Sequence, residues 1–122
     1  MLNFEEIKRL CLEKPGAYEC CPFGPLPICY KVGSRIFLEW YPEDEKLTLR
    51  CEPMLGDYYK EHYPEIVLPG YHCPERQRRY KITVYLNKGL EDGIIAELID
   101  HSYQEAVRRI SRSEREILEK NV

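Results

Sequence analysis

The segment PERQRRYK, residues 74–81, sets Arg76, Arg78, Arg79 and Lys81 directly ahead of a run that alternates apolar and polar residues. Cations crowded in this way repel one another and are stabilised by an anion, so the chemistry on offer is recognition of phosphate or carboxylate. The histidines offer less. His72 and Cys73 are adjacent, and neighbours on an extended segment point to opposite sides, so a structural role in the turn is expected instead of a thiolate–imidazole pair. His101 follows Asp100, with Glu97 and Glu105 four residues to either side, the spacing of a helix-surface ion pair. His62 falls at a helix end as a half-buried aromatic. With no G-x-S-x-G, phosphate-cradling glycine loop or H-E-x-x-H, no catalytic constellation and no cofactor are expected.

The chain has 122 residues, enough for one domain with a modest core, and carries a net charge of −3. A molecule of that sign is not drawn as a whole to a polyanion, so nucleic-acid binding requires a local basic face. The six cysteines, Cys11, Cys20, Cys21, Cys29, Cys51 and Cys73, include no C-x-x-C pair, and ligand-type zinc spacing is missing. They are expected to be reduced, mostly buried and metal-free. The start, MLNFEEIKRL, is acidic and amphipathic where a signal peptide is basic and then apolar, and no apolar run approaches the ~20 residues of a membrane span. A cytoplasmic monomer without membrane contact is the expectation.

The elements that must position the cations follow from periodicity. Asn3 caps a helix over residues 3–13 with Glu6 three positions on, and Phe4, Ile7, Leu10 and Cys11 form its apolar stripe. Pro15-Gly16 stops it, and the proline-rich CCPFGPLP crosses a domain edge as a rigid loop. Three alternating runs come next. Ile28, Tyr30 and Val32 lead through Gly33-Ser34 to Ile36, Leu38 and Trp40, and PEDE turns the chain into Leu47, Leu49 and Cys51. Pro53 opens a helix to about Tyr63. Tyr80, Ile82, Val84 and Leu86 mark a fourth strand, and the last helix runs from about Glu91 to Ile110 with Ile95, Leu98, Ile99, Ser102 and Ala106 inward. The order α-β-β-β-α-β-α implies an α+β domain over residues 1–110, a four-stranded antiparallel sheet with helices packed on one face. Residues 111–122 form a polar helical extension or a frayed tail.

Alternation then assigns the opposite face to Lys31, Arg35, Phe37, Glu39, Tyr41, Lys46, Thr48, Arg50, Lys81, Thr83 and Tyr85. Five cations against one carboxylate, interleaved with aromatic rings and flanked by Arg76, Arg78 and Arg79, suit nucleic acid: the cations neutralise phosphate and the rings stack on bases. The same composition also serves an exposed sheet for solubility and edge protection.

Several stretches together resemble the MmcQ/YjbR family: PFG at 22–24, YKVGSRIFLEW at 30–40, LRCEP at 49–53, YPEIVLPGYH at 63–72 and ELIDHSYQEAV at 97–107. The resemblance spans about residues 3–110. It implies a compact α+β fold related to the frataxin/CyaY type and, by analogy with a double-wing DNA-binding domain, DNA binding. After PGYH the family usually has a lysine- and histidine-rich stretch leading to Trp-Asn-Thr-Val. Here CPERQRRYKITV stands instead, with Tyr80 near the tryptophan position, and Glu52 replaces the usual aspartate before Pro53.

The expected function is DNA binding through the basic sheet face, with Lys31, Arg35, Lys46, Arg50 and Lys81 on phosphate, Tyr41 and Tyr85 stacking, and Arg76, Arg78 and Arg79 flanking. The alternative is a protein-interaction or small-ligand-sensing module, favoured if Phe37, Tyr41 and Tyr85 form one exposed patch. A frataxin-like metal handler needs a denser acidic cluster on the first helix than Glu5, Glu6 and Glu13 supply.

Overall fold

The computed structural model describes residues 2–71 and 73–120; His72 lies outside them. Helices α1 (Phe4–Leu12), α2 (Pro53–His62) and α4 (Asp92–Val107) stand where periodicity places them. Asn3 caps α1 through a reciprocal bond with Glu6, and the Glu52 carboxylate accepts from Met54 N and Leu55 N at the start of α2. The sheet is antiparallel throughout but has six strands instead of four: β1 (Ala17–Cys20), β2 (Ile28–Val32), β3 (Arg35–Tyr41), β4 (Lys46–Arg50), β5 (Val67–Pro69) and β6 (Lys81–Tyr85), in the order β1-β2-β3-β4-β6-β5. The two unforeseen strands are short edges defined by their pairing. Each is too brief for alternation to reveal. Tyr18 Oη donates to Gly33 O and Tyr30 Oη to Glu19 Oε1, both at 2.7 Å, which pins β1 to the hairpin beside it.

One face carries Ile28, Tyr30, Leu38, Trp40, Leu47, Leu49, Ile82, Val84 and Val67 in mutual register. Helices cover it. Phe4 of α1 stacks on Trp40 with ring centroids 6.0 Å apart, and Ile95, Leu98 and Ile99 of α4 join the same core. Burying such side chains contributes roughly 1.5–3 kcal/mol apiece.

The expected register fails at one point. A bulge in the β2–β3 pairing lets Tyr30 face Leu38 while Lys31 faces Ile36, leaving Phe37 as the extra residue. Phe37 therefore turns inward, 1% exposed, with its ring edge-on to Tyr103 of α4 at 5.5 Å. Ile36 takes the outer face instead. The exposed Phe37–Tyr41–Tyr85 patch that would favour a protein-interaction module does not form.

The outer face is also less open than alternation implies. The chain after Pro69 folds back over it so closely that a Cβ on Gly70 would lie 2.8 Å from Cys73 Sγ and 2.9 Å from Lys81 Cβ. Thr48 and Thr83 are buried and share a hydrogen bond of 3.2 Å. Lys46, expected in solvent, is 4% exposed: its ammonium sits 3.2 Å from the centre of the Tyr71 ring and 3.4 Å from Asp44 Oδ2.

Smaller corrections have local causes. A short helix α3 (Glu75–Arg78) precedes β6, and Tyr80 belongs to the turn between them, exposed, not to the inward face of the strand. His101 Nε2 accepts from Glu52 N at 3.1 Å, tying α4 to the cap of α2 where a surface ion pair was expected. His62 is exposed and stacks on Tyr58. Residues 112–120 form a separate helix, α5, opened by Ser111 and Glu114 bonding each other's backbone amides. Of the six free cysteines, Cys11, Cys29 and Cys51 are buried, Cys20 and Cys73 half-buried, and Cys21 exposed.

The bulge depends on Ser102 of α4, whose Oγ accepts from Arg50 N at 2.8 Å and donates to Phe37 O. Ser102→Ala strips a partner from both buried groups and should cost about 1–3 kcal/mol in urea unfolding. Lys46→Ala should cost about 2 kcal/mol by the same measurement, against about 0.5 or less for the exposed Arg79→Ala. Burial pushes the thiols of Cys11, Cys29 and Cys51 up to about 12. Alkylation of the folded protein at mildly alkaline pH should therefore label Cys21 first and spare those three until unfolding, as peptide mapping would read.

Candidate functional site

Beyond Leu38 and Leu49 the β3–β4 ladder has no further residue pairs, so the two strands part. Arg50, at the end of β4, turns its guanidinium into the gap and donates from Nε to Ile36 O at 2.8 Å. Lys81, its partner across β6, stands beside it. Arg35 enters from the Gly33-Ser34 turn and donates from Nε to Arg109 O at 3.2 Å, which fastens the end of α4 to the start of β3. With Arg76 and Gln77 of α3, Arg109 and Tyr80, these residues line a concavity of about 400 Å³. Five cations line it and no carboxylate does.

None of the five forms an ion pair among the described residues. Burial draws the Arg50 guanidinium below its ordinary range, and the guanidiniums of Arg109 and Arg35 add to this, with a smaller opposing pull from Glu39 and Glu105. Arginine keeps its proton in proteins, so these cations repel one another at every ordinary pH and an anion relieves the repulsion. Guanidinium forks suit the paired oxygens of phosphate. Tyr80 adds a ring to the wall, with Arg79 Cζ 5.6 Å and Arg109 Cζ 5.7 Å from its centroid.

The predicted residues thus divide. Arg35, Arg50, Arg76 and Lys81 converge, while Arg78 and Arg79 are exposed on the flank. Lys31 is half-buried on β2 and does not line the concavity. Tyr41, Lys46 and Tyr85 gather at the far end of the sheet, about 13 Å away at the rise of a strand, with Lys46 Nζ 5.5 Å from the Tyr41 ring centre and 5.8 Å from that of Tyr85. Sequence reasoning missed Arg109 and Gln77 and turned Tyr80 inward. A usable signal was the Arg108-Arg109 pair, since cations at a helix C-terminus are favoured and stay exposed. Among the described residues no group of three or more His, Cys, Asp or Glu side chains is placed to hold a metal, and no helix is long and apolar enough to cross a membrane.

Comparison with known proteins gives a consistent result. The YjbR family model matches residues 12–105. The chain is 30% identical to the uncharacterized protein YbdF of Escherichia coli O157:H7, over 88% of this chain and 87% of that one. It is 26% identical to the uncharacterized protein YjbR of Escherichia coli K12, over 96% and 98%. In three dimensions it resembles the crystal structure of Deinococcus radiodurans protein DR2400, a DUF419 domain, with a TM-score of 0.87 at 24% identity, covering 98% of this chain and 89% of that one. A Pseudomonas syringae protein superposes with a TM-score of 0.70 at 18% identity, covering 86% and 99%. The chain belongs to the YjbR family.

Proposed function

We propose that this YjbR-family chain binds nucleic acid through the concavity of Arg35, Arg50, Arg76, Lys81 and Arg109. The observation that carries this reading is the convergence of five cations, without a carboxylate among the lining residues, in a chain of net charge −3. Solubility alone favours cations spread over a surface, not the guanidiniums of Arg109 and Arg35 beside a partly desolvated Arg50. Phosphates enter the concavity, Arg78 and Arg79 extend the contact along the strand, and Tyr80 offers a stacking face to an unpaired base. Contacts of this kind fix the nucleic acid by its backbone and carry little sequence preference.

Affinity should fall with salt at a slope near −0.9 per contacted phosphate on duplex DNA and near −0.7 on single strands, as fluorescence anisotropy across a salt series would read. Arg76→Glu and Arg109→Glu should each weaken binding about tenfold or more at low salt while leaving the thermal midpoint nearly unchanged, because both side chains are on the surface. Tyr80→Ala should cost about 1–3 kcal/mol on single strands, and Tyr85→Ala, at the other end of the sheet, almost nothing. Absence of salt-sensitive binding to both forms at low ionic strength would sink the reading.

A further inference from the structure

At the opposite end of the sheet a second concavity, of about 480 Å³, has the reverse character. Its walls are Phe23, Leu26 and Pro27 from the proline-rich loop, Glu39 and Tyr41 from β3, Pro42, Glu43 and Asp44 from the turn before β4, and Tyr71. Three carboxylates and three aromatic rings line it, and no cation does. We propose that this pocket binds an organic cation, an alkylammonium or guanidinium head on an apolar stem.

An anion would meet three carboxylates. A neutral apolar ligand would cover the Glu43 carboxylate without pairing it, which costs free energy. A cation with an aliphatic body satisfies both kinds of wall, its charge facing the carboxylates and ring faces and its stem lying on Leu26, Pro27 and Pro42. The same contact already exists immediately behind the pocket, where the Lys46 ammonium rests on Tyr71 and pairs with Asp44. Lys46 therefore takes up one of the three carboxylates. Glu43 is exposed and has no ion pair among the described residues.

The apolar wall is ready for a ligand. Phe23 is 65% exposed and Leu26 41%, both on a loop held by Pro22, Pro25 and Pro27, so little chain entropy remains to be lost on binding. The Tyr41 and Tyr71 rings meet edge-to-face at 88° with centroids 5.1 Å apart, which fixes a corner instead of a flat surface. The volume falls within the roughly 300–1,000 Å³ of small-molecule sites. A small organic cation and a basic side chain of a polypeptide present the same chemistry here.

The test is a nuclear magnetic resonance titration of the full chain with n-butylguanidinium and, separately, with a capped Gly-Arg-Gly peptide. Butan-1-ol and butyrate serve as neutral and anionic counterparts. Saturable shifts confined to residues 22–27, 39–44 and 71 with either cation support the proposal, and the tighter of the two identifies the source as a free small-molecule cation or a polypeptide. Glu43→Gln and Phe23→Ala, both exposed and compatible with folding, should each weaken the cation about fivefold or more. Equal shifts with butan-1-ol, or no saturable shift with either cation at millimolar concentration, would overturn it.

Discussion

The extra residue at Phe37 governs the arrangement of the whole sheet. A bulge is costly where it breaks a ladder in a buried region, because it leaves backbone groups without partners. Here Ser102 meets the cost by bonding Phe37 O and Arg50 N at once, and the Arg50 side chain takes up Ile36 O. The strands part as a result, and the space between them is filled by charge instead of by backbone pairing. The core gains Phe37 against Tyr103, while the outer face gains a recess with a guanidinium at its floor. Packing and the candidate site are thus two results of one local irregularity.

That irregularity was not legible in the sequence. In RIFLEW three apolar residues run together, so alternation alone gives no sign that Ile36 points out and Phe37 in. Lys46 misled for a different reason. It reads as an ordinary surface cation, and the ring that buries it comes from Tyr71, twenty-five positions on. The capped helices were readable because Asn3 with Glu6, and Pro53 behind Glu52, act within a single turn. The long strands were readable from their apolar partners on the core side. Two of the five cations followed from that register, since Arg50 and Lys81 fall on the same face and end in any account of β4 and β6. Arg109 did not, because its place depends on α4 ending at Val107 and bringing its backbone to Arg35.

The outer face is polarised along the strands. Cations collect where β3 and β4 part, and carboxylates with tyrosines collect at the other end, separated by the buried Thr48–Thr83 pair and the chain folded over it. In a chain whose total charge is small, such segregation lets one sheet present opposite potentials at its two ends. A mixed distribution would have cancelled both.

The Glu114 carboxylate joins helix α5 to the β2–β3 turn, beside Arg115, which donates to Val107 O at 2.9 Å, and Leu118, which packs against the core. Glu114 accepts from Ser111 N within its own first turn and from Ser34 Oγ in the β2–β3 turn, at 2.9 and 3.2 Å. The same turn carries Gly33 at φ +56°, where a Cβ would stand 3.1 Å from Ile110 and 3.2 Å from Glu114. Those hydrogen bonds, the Ser111 amide first among them, keep the carboxyl of Glu114 below its ordinary 4.5. The folded chain therefore favours the ionised form, and the fastening is complete above that value and weakens as acidity carries the group through its lowered one. One of the bonds that tie the C-terminal helix to the hairpin carrying Arg35 thus loosens in acid, while the packing of Leu118 does not.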